Sequence, residues 1–341
     1  MKNKFIVTGG AGFIGSHITE LLLSEGFEVV VIDNLKSGSK KNLEKSLLHE
    51  NFDLIVEDIT TIDLNHKCFY GVSYIIHLAG LGDVIPSIEL PIEYFRVNCY
   101  GTARLMEAAK VNNIKKIVYA ASSSCYGLTE EPTNEKAPIA TLHPYAFTKY
   151  LGELTLFHWA KVYGLHVNSI RIFNAYGTRS RTSGSYGAMF GVFLKQILSA
   201  QPLTIVGDGS QTRDFVYVTD VAKAFLLAAI NKVHGEIFNI GSGDPKSIIE
   251  IVSFLDHPYT NIPDRPGEPR ATWADISKAR TMLGWTPTVD LSEGIKKMLS
   301  EIDYWKDAPL WTPESIIEAS KNWFKYMNGE AAHVTPLKTI E

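Results

Sequence analysis

Thr8-Gly9-Gly10-Ala11-Gly12-Phe13-Ile14-Gly15-Ser16-His17 is the stretch that decides the fold. In front of it stands Phe5-Ile6-Val7, an apolar run of strand character. Behind it, Ile14, Ile18, Leu21 and Leu22 recur at helical spacing. The glycines therefore occupy a strand-to-helix turn, the place where a dinucleotide fingerprint sits. Gly9 permits the tight turn, Gly12 lets backbone approach a pyrophosphate, and Gly15 lets helix and strand pack closely. The helix start offers unpaired N–H groups and a positive dipole end. The spacing is G-x-x-G-x-x-G, and three glycines alone are equally consistent with a plain structural turn.

The next strand separates the two readings. Glu28-Val29-Val30-Val31-Ile32 is apolar and ends in Asp33, about twenty residues on, where a ribose-binding acid belongs. A carboxylate there accepts the 2′-hydroxyl and repels a 2′-phosphate. The expected cofactor is NAD, not NADP.

Further strands follow at Asp53–Asp58, Tyr74–Gly80, Lys116–Ala121 and Val167–Phe173, alternating with a long helix over 92–113 and another from Tyr145. A Lys/Asn-rich helix is expected after the polar loop 34–39. Such alternation predicts an α/β fold, a Rossmann-type doubly wound parallel sheet whose sites lie at the strands' carboxyl ends. Asp58, at one such end, reads either as a partner of the adenine amino group or as a capping acid for the next turn. His77, inside an apolar run, reads as a satisfied core residue. Beyond residue 175 the alternation loosens into short strands at 203–206, 213–218 and 236–240. The expectation is an NAD-binding domain over 1–175, a smaller, interleaved C-terminal α/β substrate domain over 176–330 and a tail over 331–341, with some segments of the second returning to the first.

Composition bounds the rest. A chain of 341 residues with 45% apolar side chains can bury a large core. A formal charge of −4 excludes a strongly basic nucleic-acid binder. No apolar run is long enough to span a membrane. Three scattered cysteines, Cys68, Cys99 and Cys125, argue against a disulfide framework, and no metal cluster is evident. The absence of a signal-peptide pattern leads to the expectation of a cytoplasmic protein.

The chemistry centres on Tyr145 and Lys149, four residues apart and so on one helical face. A phenol of ordinary pKa about 10 becomes a base near pH 7 only with roughly 4 kcal/mol of phenolate stabilisation. A neighbouring ammonium and a cationic nicotinamide supply charge of the right sign. Ser122, ending the strand 116–121, is placed to hydrogen-bond the same substrate oxygen. Taken alone, Tyr-x-x-x-Lys is a common helical surface pair; after the glycine turn and the ribose acid it reads as a catalytic pair.

Together these motifs resemble the extended short-chain dehydrogenase/reductases, in the NAD-dependent nucleotide-sugar epimerase/dehydratase group. The resemblance runs from Thr8–His17 through Tyr145–Lys149 and Asp208–Ala224 to Leu283-Gly284-Trp285-Thr286-Pro287. It implies catalysis by Ser122, Tyr145 and Lys149, with Lys149 also on the nicotinamide ribose. It implies NAD contacts from Gly9, Gly12, Phe13, Ile14, Gly15, Asp33, Asn34, Asp58, Ile59, Leu78, Ala79 and Asn98. On the substrate side it implies a nucleotide-diphosphate sugar held by Asn174, Arg213 and Arg265, with Glu268 on the nucleotide ribose. Ser87, Ser124, Arg179, Ile205 and Thr272 complete that side. Arginine pairs suit a diphosphate because the guanidinium fork is bidentate.

Relatives that dehydrate sugars carry Asp-Glu after the catalytic Ser or Thr, where this chain has Ser123-Ser124. The resemblance therefore implies a 4-epimerase, with a UDP-hexose or UDP-N-acetylhexosamine as substrate. Thr272 stands where such enzymes limit room at the sugar's C2. The rivals are a 4-keto-sugar reductase or epimerase/reductase, which Asp33 disfavours, and a protein that only senses dinucleotide. Asp83, Arg179, Arg181 and Tyr186 depart from the family pattern. A homodimer through a four-helix bundle is also implied.

Overall fold

A computed structural model describes residues 3–180, 189–265 and 267–327. Arg181, Tyr186 and the tail 331–341 lie outside them. Seven parallel strands form the central sheet, in the order β3-β2-β1-β4-β5-β6-β11. They are β1 (Lys4–Thr8), β2 (Glu28–Ile32), β3 (Phe52–Ile55), β4 (Val72–His77), β5 (Lys116–Ser122), β6 (His166–Ile172) and β11 (Glu236–Ile240). Chain order reverses between β1 and β4, and a crevice opens beyond their carboxyl ends. In register, Thr8 lies beside Ile32 on one side and His77 on the other.

The faces are covered because the helices present apolar stripes to them. On one face α1 (Phe13–Ser24) lays Ile18 and Leu22 against the sheet, with α7 (Val218–Ile230) beside it. On the other, α4 (Gly101–Val111) and α5 (Pro144–Tyr163) bury Leu105, Met106 and Leu156. The remaining helices of the Rossmann half are α2 (Val84–Glu89) and α3 (Pro91–Phe95).

A second core collects Phe190, Phe193, Ile205, Tyr217, Ile251, Met298 and Trp305. Around it stand three small strand pairs: β7 (Asn174–Tyr176) with β10 (Phe215–Tyr217), β9 (Thr212–Arg213) with β12 (Lys246–Ser247), and β8 (Leu203–Val206) with β13 (Tyr259–Ile262). The helices around this core are α6 (Met189–Leu198), α8 (Ile248–Leu255) and α10 (Leu291–Ser300). α9 (Ser277–Leu283) lies against β11 and joins the main-sheet core through Ala279 and Leu283. α11 (Pro313–Ala319) and α12 (Lys321–Met327) follow, α12 against α2. The late Gly-Trp-Thr-Pro motif is anchored on α7. Trp285 Nε1 donates to the Asp220 carbonyl, and the Asp220 carboxylate accepts from Thr288 Oγ1 at 2.6 Å and from the Thr288 and Val289 amides, each at 2.9 Å.

Three local expectations change. The helix expected over 92–113 is interrupted by a π turn at Arg96–Tyr100. The expected Lys/Asn-rich helix is a pair of short 3₁₀ turns, Lys40–Leu43 and Ser46–Leu48. The strand expected over 213–218 breaks at Asp214, whose buried carboxylate gathers the Ser242, Gly243 and Ala274 amides.

Behind the site, Glu153 takes a hydrogen bond from Ser169 Oγ at 2.7 Å and a two-pronged one from Arg171, all three residues at most 3% exposed. Removing one partner of such a pair strands a buried charge. Glu153→Ala is expected to cost about 3–5 kcal/mol in urea unfolding. Replacing both charges by apolar side chains of similar volume is expected to recover most of that loss.

Candidate active site

The glycine turn forms as its spacing predicts. Gly9 has φ +72°, and a Cβ there would sit 2.7 Å from the Ala79 amide nitrogen. A Cβ on Gly15 would strike the Gly9 carbonyl. Both positions thus exclude any other residue. No side chain caps the start of α1 and no acid stands in its first turn. The helix end is left as an anion site facing the crevice.

That crevice is a cleft of about 650 Å³. Of the cofactor residues implied by the resemblance, Gly9, Gly12, Phe13, Ile14, Gly15, Asp33, Asn34, Asp58, Ile59, Leu78, Ala79, Tyr145 and Lys149 line it. Asp33 accepts the Ala11 amide at 2.9 Å and the Leu35 amide at 2.8 Å. Burial pushes its carboxyl above the ordinary value, and these amides oppose that. Asp58 takes the capping role, through the Thr60 amide and hydroxyl, and also faces the cleft. Burial works against its ionisation, yet Thr60 and the Asn34 amide hold it below the usual carboxylate range.

Asn98 does not line the cleft. The π turn adds a residue to the helical turn and aims the side chain inward. There Asn98 Oδ1 accepts the Leu81 amide at 2.8 Å, while Nδ2 donates to the Leu81 carbonyl and to Thr148 Oγ1. Asn98 thus fixes the loop after β4, and the loop forms the wall. His77 is satisfied inside the core, between Thr8 Oγ1 at 2.7 Å and Thr102 Oγ1 at 3.0 Å.

Ser122, Tyr145 and Lys149 converge at the ends of β5 and α5. Ser122 Oγ accepts the Ser124 amide at 3.2 Å and is hydrogen-bonded to the Tyr145 phenol. Burial raises Tyr145 above the ordinary tyrosine value, with the Ser122 bond opposing. Burial likewise lowers Lys149 to about 8. Its ammonium lies 4.4 Å from the centre of the Tyr119 ring. Lysine alone therefore does not offset the desolvation of the phenol. A cationic ring in the adjacent cleft has the sign needed to favour the phenolate.

Beside the trio lies a pocket of about 400 Å³, lined among others by Asp83, Ser123, Ser124, Glu131, His143, Asn174, Thr272 and Trp323. Thr272 Oγ1 donates to Asn174 Oδ1 at 3.0 Å. A further pocket of about 330 Å³ is apolar and aromatic, with Ile205, Phe13, Tyr176, Phe190, Phe193 and Phe215 in its walls. Asn174, Arg213, Arg265 and Glu268 line both, so they stand at the junction. Arg213 Nη2 donates to Glu268 Oε1 at 2.8 Å, and Arg265 approaches the other oxygen at 3.9 Å. Glu268 thereby holds the two guanidiniums side by side.

Two substrate expectations line neither of these pockets. Ser87 is fully buried on α2, its hydroxyl donated to the Val84 carbonyl at 2.6 Å. Arg179 lies in the dinucleotide cleft, where it donates to Glu20 Oε1 at 2.7 Å and to the Asn42 carbonyl at 3.2 Å. The residues that sequence reasoning missed include Asn42 and Tyr304 on the cleft and His143 and Trp323 on the middle pocket. Tyr304 Oη donates to Asn42 Oδ1 at 2.8 Å. The sequence beyond Trp285 reads as uninformative helix because nothing local reports a contact across the whole chain.

Comparison with known proteins agrees with this geometry. The sequence model described as "NAD dependent epimerase/dehydratase family" matches residues 5–241. A putative UDP-glucose 4-epimerase of Methanocaldococcus jannaschii is 38% identical over 304 residues, covering 86% of this chain and 97% of its own. Bacillus cereus UDP-glucuronic acid 4-epimerase, solved with UDP-glucuronic acid and NAD, superposes with a TM-score of 0.83 at 34% identity, covering 88% of this chain and 99% of its own. The UDP-N-acetylglucosamine 4-epimerase of Methanobrevibacter ruminantium, in complex with UDP-N-acetylmuramic acid, gives 0.82 at 35% identity, covering 88% and 100%. This chain belongs to the NAD-dependent epimerase/dehydratase family.

Proposed function

We propose that this NAD-dependent nucleotide-sugar 4-epimerase takes a UDP-linked neutral hexose or N-acetylhexosamine. The observation that carries the choice of sugar is the charge of the middle pocket. Among the described residues its cations are Arg213 and Arg265, both committed to the diphosphate junction, and its acids include Asp83 and Glu131. A hexuronate would bring a further negative charge against those carboxylates. The small Thr272 side chain, tied to Asn174, leaves room for an acetamido group at C2.

The residues divide the work as follows. The α1 N-terminus, Asp33 and Asp58 hold the dinucleotide; Asn98 supports the wall beside it. Arg213 and Arg265 take the diphosphate, and the aromatic pocket takes the base. Tyr145 accepts the O4 proton as phenolate, Ser122 steadies that oxygen, and Lys149 contributes positive charge. When bound, NAD would supply the hydride acceptor for C4 and the hydride donor for the 4-keto sugar. The serines at 123 and 124 offer no carboxylate pair for eliminating water.

Denaturing the purified protein and quantifying released dinucleotide tests this, together with incubation with UDP-, GDP-, CDP- and dTDP-sugars. Near-stoichiometric NAD and C4 interconversion of UDP-hexoses are the expected results. An empty protein that consumes NADPH with 4-keto sugars would sink the reading. The reading extends to a homodimer. Ile92, Phe95, Tyr100, Phe147 and Leu154 expose apolar surface along α3, the π turn and α5, the helices that a four-helix interface would use. Sedimentation at twice the monomer mass is expected.

A further inference from the structure

α12 crosses the mouth of the middle pocket. At one rim it packs on α2, and Asn322 Nδ2 donates to Glu89 Oε1 at 2.9 Å. At the other rim Met327 Cε reaches Gly267, where a Cβ would lie only 3.6 Å away. Between these anchors α12 turns Trp323, 7% exposed, into the pocket wall.

Trp323 meets His143 there, with ring centres 6.1 Å apart and planes at 47°. His143 in turn lies parallel to the Tyr145 ring, centres 5.9 Å apart and planes within 6°. Its Nδ1 is occupied, accepting the Ala146 amide at 3.2 Å as the cap of α5. A neutral imidazole with Nδ1 as acceptor carries its proton on Nε2. Burial lowers the His143 pKa to about 4, so this donor form persists at neutral pH.

A hexose presents two surfaces, an apolar C–H face and a rim of oxygens. An aromatic plane beside a fixed donor complements both. We propose that His143 and Trp323 form the sugar-selecting wall of this enzyme: Trp323 packs on a C–H face of the hexose, and His143 Nε2–H donates to one of its oxygens. The C-terminal helix is then a working part of the site. This rests on the nucleotide-sugar reading above.

The test uses holoenzyme and three variants: Trp323→Ala, Trp323→Phe, and His143→Asn, in which asparagine preserves a helix-capping acceptor. Calorimetry with UDP and with UDP-hexose separates the nucleotide's share of affinity from the sugar's. Trp323→Ala and His143→Asn are expected to weaken UDP-hexose binding tenfold or more and raise KM in step, with UDP affinity within twofold of wild type. Trp323→Phe is expected to fall between. Equal losses for UDP and UDP-hexose would assign the residues a merely structural role and overturn the proposal, as would no loss for either. If wild type turns over no nucleotide sugar, the functional reading itself fails. An active wild type with indifferent variants refutes only the wall.

Discussion

Tyr145→Phe is expected to lower kcat by about a thousandfold or more while leaving the fold and the bound NAD in place. The variant loses one oxygen. The ring still stacks on His143, and Ser122 keeps the Ser124 amide, so the stability change is expected to stay within about 1.5 kcal/mol. What disappears is the group that exchanges a proton with O4. Because burial favours the neutral phenol, the wild-type rate is also expected to rise with pH until the phenolate forms in the ternary complex. The variant should lack that limb. Turnover, released NAD and melting temperature are measured together. Near-normal turnover with intact NAD would remove Tyr145 from the mechanism.

Acid is expected to destabilise the protein steeply below pH 6.5. His17 and His77 are both buried, and burial lowers them from 6.5 to about 4 and about 3. In the unfolded chain each takes up a proton as pH falls through 6.5; in the native protein neither does until far lower. The unfolded state therefore binds more protons across that window. Stability that is present above pH 6.5 drains away as pH falls. Each histidine costs about 2 kcal/mol by pH 5, against about 5–15 kcal/mol for a whole domain. Asp33 and Asp214, raised by burial, work in the opposite sense as they protonate. Urea midpoints at pH 8, 6 and 5 check this. His17→Gln keeps a donor for the Thr178 carbonyl, which His17 Nε2 meets at 2.9 Å, and should remove about a third of the dependence, because His143, lowered by burial to about 4, adds a contribution of the same sign. An unchanged slope in that variant would refute the cause assigned here.

The parts of this molecule legible in the sequence are those whose physics is local or strictly ordered. The glycine turn, the acid ending β2, the serines ending β5 and the Tyr145–Lys149 face each follow from spacing along a few residues. Strand–helix alternation then places all of them at one edge of the sheet. Where distant segments decide, the sequence was silent or misleading. Arg179 is expected on the substrate side, yet Glu20 and Asn42 draw it to the dinucleotide cleft. The resemblance implies a cofactor contact from Asn98, and no local pattern announces the π turn that ties its amide to the Leu81 loop. Trp323 carries no signal at all, since its role exists only once α12 is laid over α2.

The contact of Tyr304 with Asn42 spans 262 residues of chain and lines the dinucleotide cleft, with Arg179 and Glu20 on the same seam. A dinucleotide seated in that cleft would lie against this seam. A dehydrogenase must open such a seam every cycle to exchange spent coenzyme, so it needs a fast gate. An epimerase gives back the electrons it borrows, and its cycle never asks for the gate to move. The seam can therefore be slow, and the cofactor is expected to stay in place from one turnover to the next.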